Sequence, residues 1–286
     1  VRTILYGTDY STNSVAALKY AKKMAEHLDC HLVDCHVYGY PIVTETMVVD
    51  ELPQLRKNAL KANRYRLEEF CAQYLGENWS KEDIKIAPVE DIFVVDGIVA
   101  AAKDWHAEFI IVGTKGESIL TEALLGSTTK HLIQKSPCPV LAIPPNIKYV
   151  TPKTMVYATD FEEEDIDAIG KLVELAESYQ AKIKIVHISP KKEYSGDTQM
   201  EWFKNRLQEK VAYKNLEFEL IFSEYIFKSL EKYLTDVKAD LVGMLARKKS
   251  GFLKRWFHWD LVKKMESHST IPVLSFNEVN YQMMVI

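Results

Sequence analysis

Short apolar runs alternate with amphipathic stretches along the first half of the chain. Thr3-Ile4-Leu5-Tyr6-Gly7 reads as a buried strand, and from Ser14 to Leu28 the positions Val15, Leu18, Ala21, Ala25 and Leu28 recur at the spacing of one helical face. Ser11 or Asn13 is placed to cap that helix. A second strand is predicted over residues 30–37, a long helix over about 53–75, a third strand near 84–89 and a helix around 95–105. Residues 109–112, Phe-Ile-Ile-Val, make a fourth strand, a glycine-bearing stretch leads into the amphipathic Lys130-His131-Leu132-Ile133, and Val140–Ile143 is a last strand. Alternating strand and helix predicts an α/β fold: a doubly wound parallel sheet, helices on both faces, the ligand crevice at the carboxyl ends of strands where the winding reverses. The first and fourth strands should flank that switch point. Their ends carry Gly7-Thr8-Asp9 and, after Val112, Gly113-Thr114-Lys115-Gly116.

The chain also matches itself. At an offset of 151, Thr3-Ile4-Leu5-Tyr6-Gly7-Thr8-Asp9-Tyr10 meets Thr154-Met155-Val156-Tyr157-Ala158-Thr159-Asp160-Phe161, and Ala17, Ala25-Glu26 and His36 meet Ala168, Ala176-Glu177 and His187. The ends correspond too, Cys138-Pro139-Val140-Leu141 with Ile271-Pro272-Val273-Leu274. The expectation is a tandem duplication with domains 1–146 and 147–286, joined near Pro144-Pro145-Asn146, where a proline pair ends the last strand of the first unit.

Composition narrows the surroundings. The 286 residues suffice for two units, and a domain of about 140 residues buries most of its surface without crosslinks. Cys30, Cys35, Cys71 and Cys138 form no C-x-x-C pair. With no leader expected before the first strand, a reducing cytoplasm is the expected location. The apolar runs fall short of the ~20 residues of a membrane-spanning helix. A formal net charge of −4 gives no pointer to nucleic acid.

The chemistry concentrates after the fourth strand, in a G-x-x-G-x₉-G-S run formed by Gly113, Gly116, Gly126 and Ser127. Glycine lets backbone approach a ligand closely, and a strand that breaks into glycines and then a helix N-terminus leaves several N–H groups pointing one way with the helix dipole behind them. That is a phosphate cradle. It has neither the Walker spacing nor the compact G-x-G-x-x-G of dinucleotide folds. Lys115 reads either as a phosphate contact or as a solvated loop lysine. Asp9 alone reads as a turn or cap residue, and its persistence as Asp160 supports a partly structural role.

Together these residues resemble the universal stress protein family in its tandem form, over both units. The resemblance rests on Thr8-Asp9 with Ser11 and Ser14 behind them, on His36-Val37, and most specifically on the glycine run. It implies two five-stranded, Rossmann-like parallel-sheet domains and ATP, with Mg2+, as the ligand. It also implies Asp9 on the ribose hydroxyls or adenine edge, Val37 supplying backbone to adenine, and Gly113, Gly116, Gly126, Ser127 and Thr128 around the phosphates. Pairing of the two units into an internal pseudo-dimer through the apolar edge strands 140–143 and 273–276 is expected, and a homodimer is possible.

The second unit departs from the pattern. It keeps Thr159-Asp160 and His187, but Leu241-Val242-Gly243-Met244-Leu245-Ala246-Arg247 replaces the start of the glycine run, and Trp259-Asp260-Leu261 stands for Gly126-Ser127-Thr128. One nucleotide site per chain is expected. The segment from Arg247 to Trp259 interleaves basic and aromatic residues, which reads as aromatics packed under long basic side chains and leaves an anionic ligand other than ATP open. Cys30, His31, Asp34, Cys35 and His36 alternate between strand faces, so no face gathers four ligands and they read as core and strand-end residues. No nucleophile with an identifiable base is present, and no catalytic residue is assigned. The expected function is a nucleotide-dependent stress-response regulator. The rival is a nucleotide-independent module holding a protein, lipid or other anion through the second unit, with a genuine hydrolase or transferase of the wider adenine-nucleotide fold as a third reading.

Overall fold

The computed structural model of the chain describes residues 2–39, 52–76, 79–80, 82–114, 127–190, 196–247, 261–262, 264–265 and 268–277. The chain divides into two compact units, Val1–Lys148 and Tyr149–Ile286. The first runs β1 (Thr3–Gly7), α1 (Ser14–Leu28), β2 (His31–Tyr38), α2 (Leu52–Leu75), β3 (Ile84–Glu90), α3 (Val94–Asp104), β4 (Ala107–Gly113), α4 (Ser127–Lys135) and β5 (Val140–Ile143). Its strands pair in the order β3-β2-β1-β4-β5, every ladder parallel.

Burial explains why these runs are strands. All five residues of β1 and all four of β5 are buried, as parallel strands covered by helices on both faces must be, whereas the outer strand β3 leaves Lys85 exposed. Helix α1 turns Ala17, Leu18, Ala21, Met24, Ala25 and Leu28 inward and packs against β1, β4 and β5. Helix α2 buries only Leu67, Phe70, Cys71 and Leu75, all in its C-terminal half, against β2 and β3. The β4 ladder extends one residue past the predicted end at Val112, because Gly113 is paired with Ile143.

The second unit repeats the plan with β6 (Thr154–Ala158), α5 (Glu163–Tyr179), β7 (Lys182–Ser189), α6 (Gly196–Lys210), β8 (Leu216–Phe222), α7 (Ile226–Asp236), β9 (Leu241–Ala246) and β10 (Val273–Asn277), in the order β10-β9-β6-β7-β8. The fold is doubly wound α/β in both units. The repeat extends to unusual backbone: Tyr10 and Phe161 have φ of 64° and 60°, Asp29 and Gln180 52° and 53°, His106 and Lys238 48° and 52°. Non-glycine residues seldom adopt this left-handed conformation, so its recurrence at matching positions reflects the same turn chemistry folded twice.

Candidate functional site

In the first unit β1 pairs with β2 on one side and β4 on the other, so the winding reverses between β1 and β4. Gly7 lies opposite Val112 across that reversal. The chain then leaves β1 as a tight hydroxyl-lined turn. The Thr8 hydroxyl accepts from the Tyr10 N–H at 3.0 Å and shares a hydrogen bond with the Ser14 hydroxyl at 3.1 Å. Asp9 is exposed, and its Oδ1 accepts the Ser11 N–H at 3.0 Å, an Asx turn that supports the partly structural reading of this residue. Between the two predicted caps, Ser11 supplies the bond: its Oγ accepts the Ser14 N–H at 3.2 Å, while Asn13 makes no side-chain cap.

Val37 lies on β2 beside this turn, two residues past Cys35, the partner of Gly7. Its side chain is buried against Gly97 of α3, where an added Cβ would fall 2.8 and 2.9 Å from the two valine methyl carbons. Gly97 was not among the expected site residues. The signal was present, since a glycine inside a helix forfeits about 1 kcal/mol relative to alanine and usually has a packing reason.

Gly113 is close to protein as well as to the crevice. A Cβ there would stand 3.3 Å from the Asn13 carbonyl oxygen and 3.5 Å from Ser14 Cα. The close approach that needs glycine is therefore in part the packing of the β4 end on the β1–α1 turn, beyond the ligand approach expected from the sequence. Likewise a Cβ on Gly7 would meet the Val112 side chain at 3.3 Å. Helix α4 is described from Ser127, and its Thr129 hydroxyl donates to the Gly113 carbonyl at 3.3 Å, tying the helix to the strand end. Thr128 is half-buried beside it. Lys115, Gly116 and Gly126 lie outside the described residues, as does the Ser127 side chain.

A buried polar layer underlies the turn. His36 places Nδ1 2.8 Å from the Thr8 carbonyl; a carbonyl only accepts, so Nδ1 carries the proton. Burial lowers the His36 pKa, which leaves the ring neutral at pH 7. Tyr10 stacks on His36 with ring centroids 4.2 Å apart, meets Phe70 edge-on, and lies under the Arg66 guanidinium at 4.1 Å. On β2, Asp34 is fully buried and accepts the Cys71 thiol at 3.0 Å, while its Oδ1 has no hydrogen-bond partner among the described residues. Burial, only partly countered by that thiol, raises the Asp34 pKa to about 7. No group of three or more candidate metal ligands occurs among the described residues.

The corresponding place in the second unit is built differently. His187 still bonds the Thr159 carbonyl at 2.7 Å and Phe161 still stacks on it. Asp165, however, takes the place of Ser14, and Arg247 reaches its Oδ1 at 3.0 Å. Arg247, the first residue of the basic-aromatic segment, thus turns inward; residues 248–260 lie outside the described set.

Residues 1–144 match the Universal stress protein family. A universal stress protein of Methanocaldococcus jannaschii is 32% identical over 153 residues, covering 50% of this chain and 94% of that protein. The universal stress protein E homolog of Haemophilus influenzae is 42% identical over 116 residues, 39% of this chain and 36% of its own. Among solved structures, a universal stress protein from Archaeoglobus fulgidus superposes with a TM-score of 0.64 at 18% identity, covering 96% of this chain and 98% of its own, which is a likeness of fold.

Proposed function

The chain belongs to the universal stress protein family, and from that premise we propose that its first unit holds an adenine nucleotide, ATP with Mg2+, as a signal in a cytoplasmic stress response. The observation that carries this reading is the switch point: a hydroxyl-lined turn after β1, the glycine end of β4, and helix α4 tied back to Gly113 through the Thr129 hydroxyl. Backbone N–H groups at such a helix start favour phosphate. In this reading Gly113, Gly116, Gly126, Ser127 and Thr128 surround the phosphates, with Lys115 in reach of them. Asp9 meets ribose or the adenine edge, and the Val37 backbone, held in place by Gly97, meets the base. The role is binding, with no catalytic residue assigned. No helix among the described residues is long and apolar enough to cross a membrane.

Calorimetry with MgATP on the full chain tests the proposal. The expected stoichiometry is near one per chain, lost in a folded Gly126→Val variant. Two equal sites, no heat at all, or undiminished affinity in Gly126→Val would each overturn it.

A further inference from the structure

Asp165 is a carboxylate in an unusual position. It is fully buried at the start of α5, four residues past the Phe161 turn, where the first unit has Ser14. Its Oδ1 accepts the Tyr157 hydroxyl at 2.9 Å, and its Oδ2 accepts the Thr159 hydroxyl at 2.7 Å and the N–H groups of Asp160 and Glu162 at 3.1 and 3.3 Å. Two hydroxyls and two backbone N–H groups of the turn that leads into α5 make a donor set of the kind by which proteins hold small oxyanions.

Arg247 completes that set. By sheet register Gly7 is paired with Val112 and Ala158 with Met244, so Arg247, three residues past Met244, corresponds in sequence count to Lys115, three residues past Val112. Its side chain is 9% exposed and its Nη2 lies 3.0 Å from Asp165 Oδ1. Among the described residues neither Nε nor Nη2 forms an aligned hydrogen bond, so the approach to Asp165 is a charge contact. A buried guanidinium is tolerated only beside a negative group. Burial opposes the Arg247 charge, but Asp165, with Tyr157, Asp160 and Glu162 around it, raises its pKa above the ordinary arginine value.

We propose that the switch point of the second unit is an oxyanion site, of the class that takes phosphate, which the chain fills with its own Asp165 carboxylate held by Arg247 and the start of α5. The site has an occupant that never dissociates. A phosphate approaching it meets a carboxylate that already holds the two hydroxyls and two N–H groups and faces the guanidinium, which accounts for the expected single nucleotide site without appeal to the lost glycines. The contrast with the first unit rests on the nucleotide reading above; the filled site itself does not.

Hydrogen–deuterium exchange on the full chain, with inorganic phosphate as the probe and chloride at equal ionic strength as the control, tests this. In the natural sequence, exchange over residues 159–165 should be indifferent to phosphate, and phosphate-dependent protection there would overturn the assignment. In Asp165→Ser the same residues should become several-fold better protected by phosphate, and the added change Arg247→Met should abolish that protection. A folded Asp165→Ser protein indifferent to phosphate would also overturn it. If Asp165→Ser unfolds the second unit, phosphate but not chloride should restore its melting transition, and failure to do so counts against the proposal. Loss of MgATP binding by the whole chain would overturn the nucleotide reading alone, since none of these measurements depends on it.

Discussion

At Asp34 a single carboxylate gives up its hydration and receives one thiol in return. Burial raises its pKa from the ordinary 3.8 to about 7, so the folded state binds a proton that the unfolded chain has already released. Between about pH 4 and 7 the unfolded chain therefore carries fewer protons, and stability falls as pH rises. The protonated form is favoured below 4, and the advantage is gone above 7. Asp34→Asn keeps the shape and the acceptor for Cys71 without the charge. It should raise stability at pH 8 by on the order of 4 kcal/mol and leave pH 4 nearly unchanged. Urea unfolding midpoints at the two pH values check this, and equal shifts at both would contradict it. The sequence identified Asp34 only as a strand residue among several possible ligands. Alternation put it on a face, but the depth of that face depends on Cys71 arriving from α2, 37 residues away, which no local pattern encodes. His36 was legible as a strand residue for the same reason; its bond to the Thr8 carbonyl was not.

At the scale of elements, the parallel strands were readable because burial on both faces leaves near-continuous apolar runs, and α1 because one face repeats at 3.6 residues. The end of β4 was harder. Glycine is a poor strand former, yet Gly113 is held in the ladder by Ile143 across the sheet. That same position sets a test of how strand and turn depend on each other. Valine at 113 would press on the Asn13 carbonyl and the Ser14 backbone, and overpacking of this kind costs about 1–3 kcal/mol. Gly113→Val should therefore lower the melting temperature of the first unit as well as its MgATP affinity. Calorimetric scans of the variant without nucleotide separate the two effects. A loss of affinity with an unchanged melt would return Gly113 to a role in ligand approach alone. Asp165 belongs to the same lesson: as N3 of a capping box with Glu162 it is ordinary helix-start chemistry, and only Arg247, 82 positions later in the chain, makes it something else.

For the whole molecule, the internal pairing expected of the apolar edge strands is a proposal with its own experiment. A first unit cut after about residue 146 should self-associate, as an uncovered apolar edge seeks a partner; light scattering that finds it monomeric at high concentration would exclude pairing through β5. Duplication gives the molecule two copies of one architecture, and the filled site proposed at Asp165–Arg247 would separate their thermodynamics. A unit that binds a dissociable ligand gains about 2.7 kcal/mol when that ligand is present at a hundred times its dissociation constant. A unit whose ligand is its own side chain gains nothing, whatever the concentration outside. One half of the chain would then respond to nucleotide supply while the other keeps a constant set point, so the order in which the halves loosen on warming reports supply against a built-in standard.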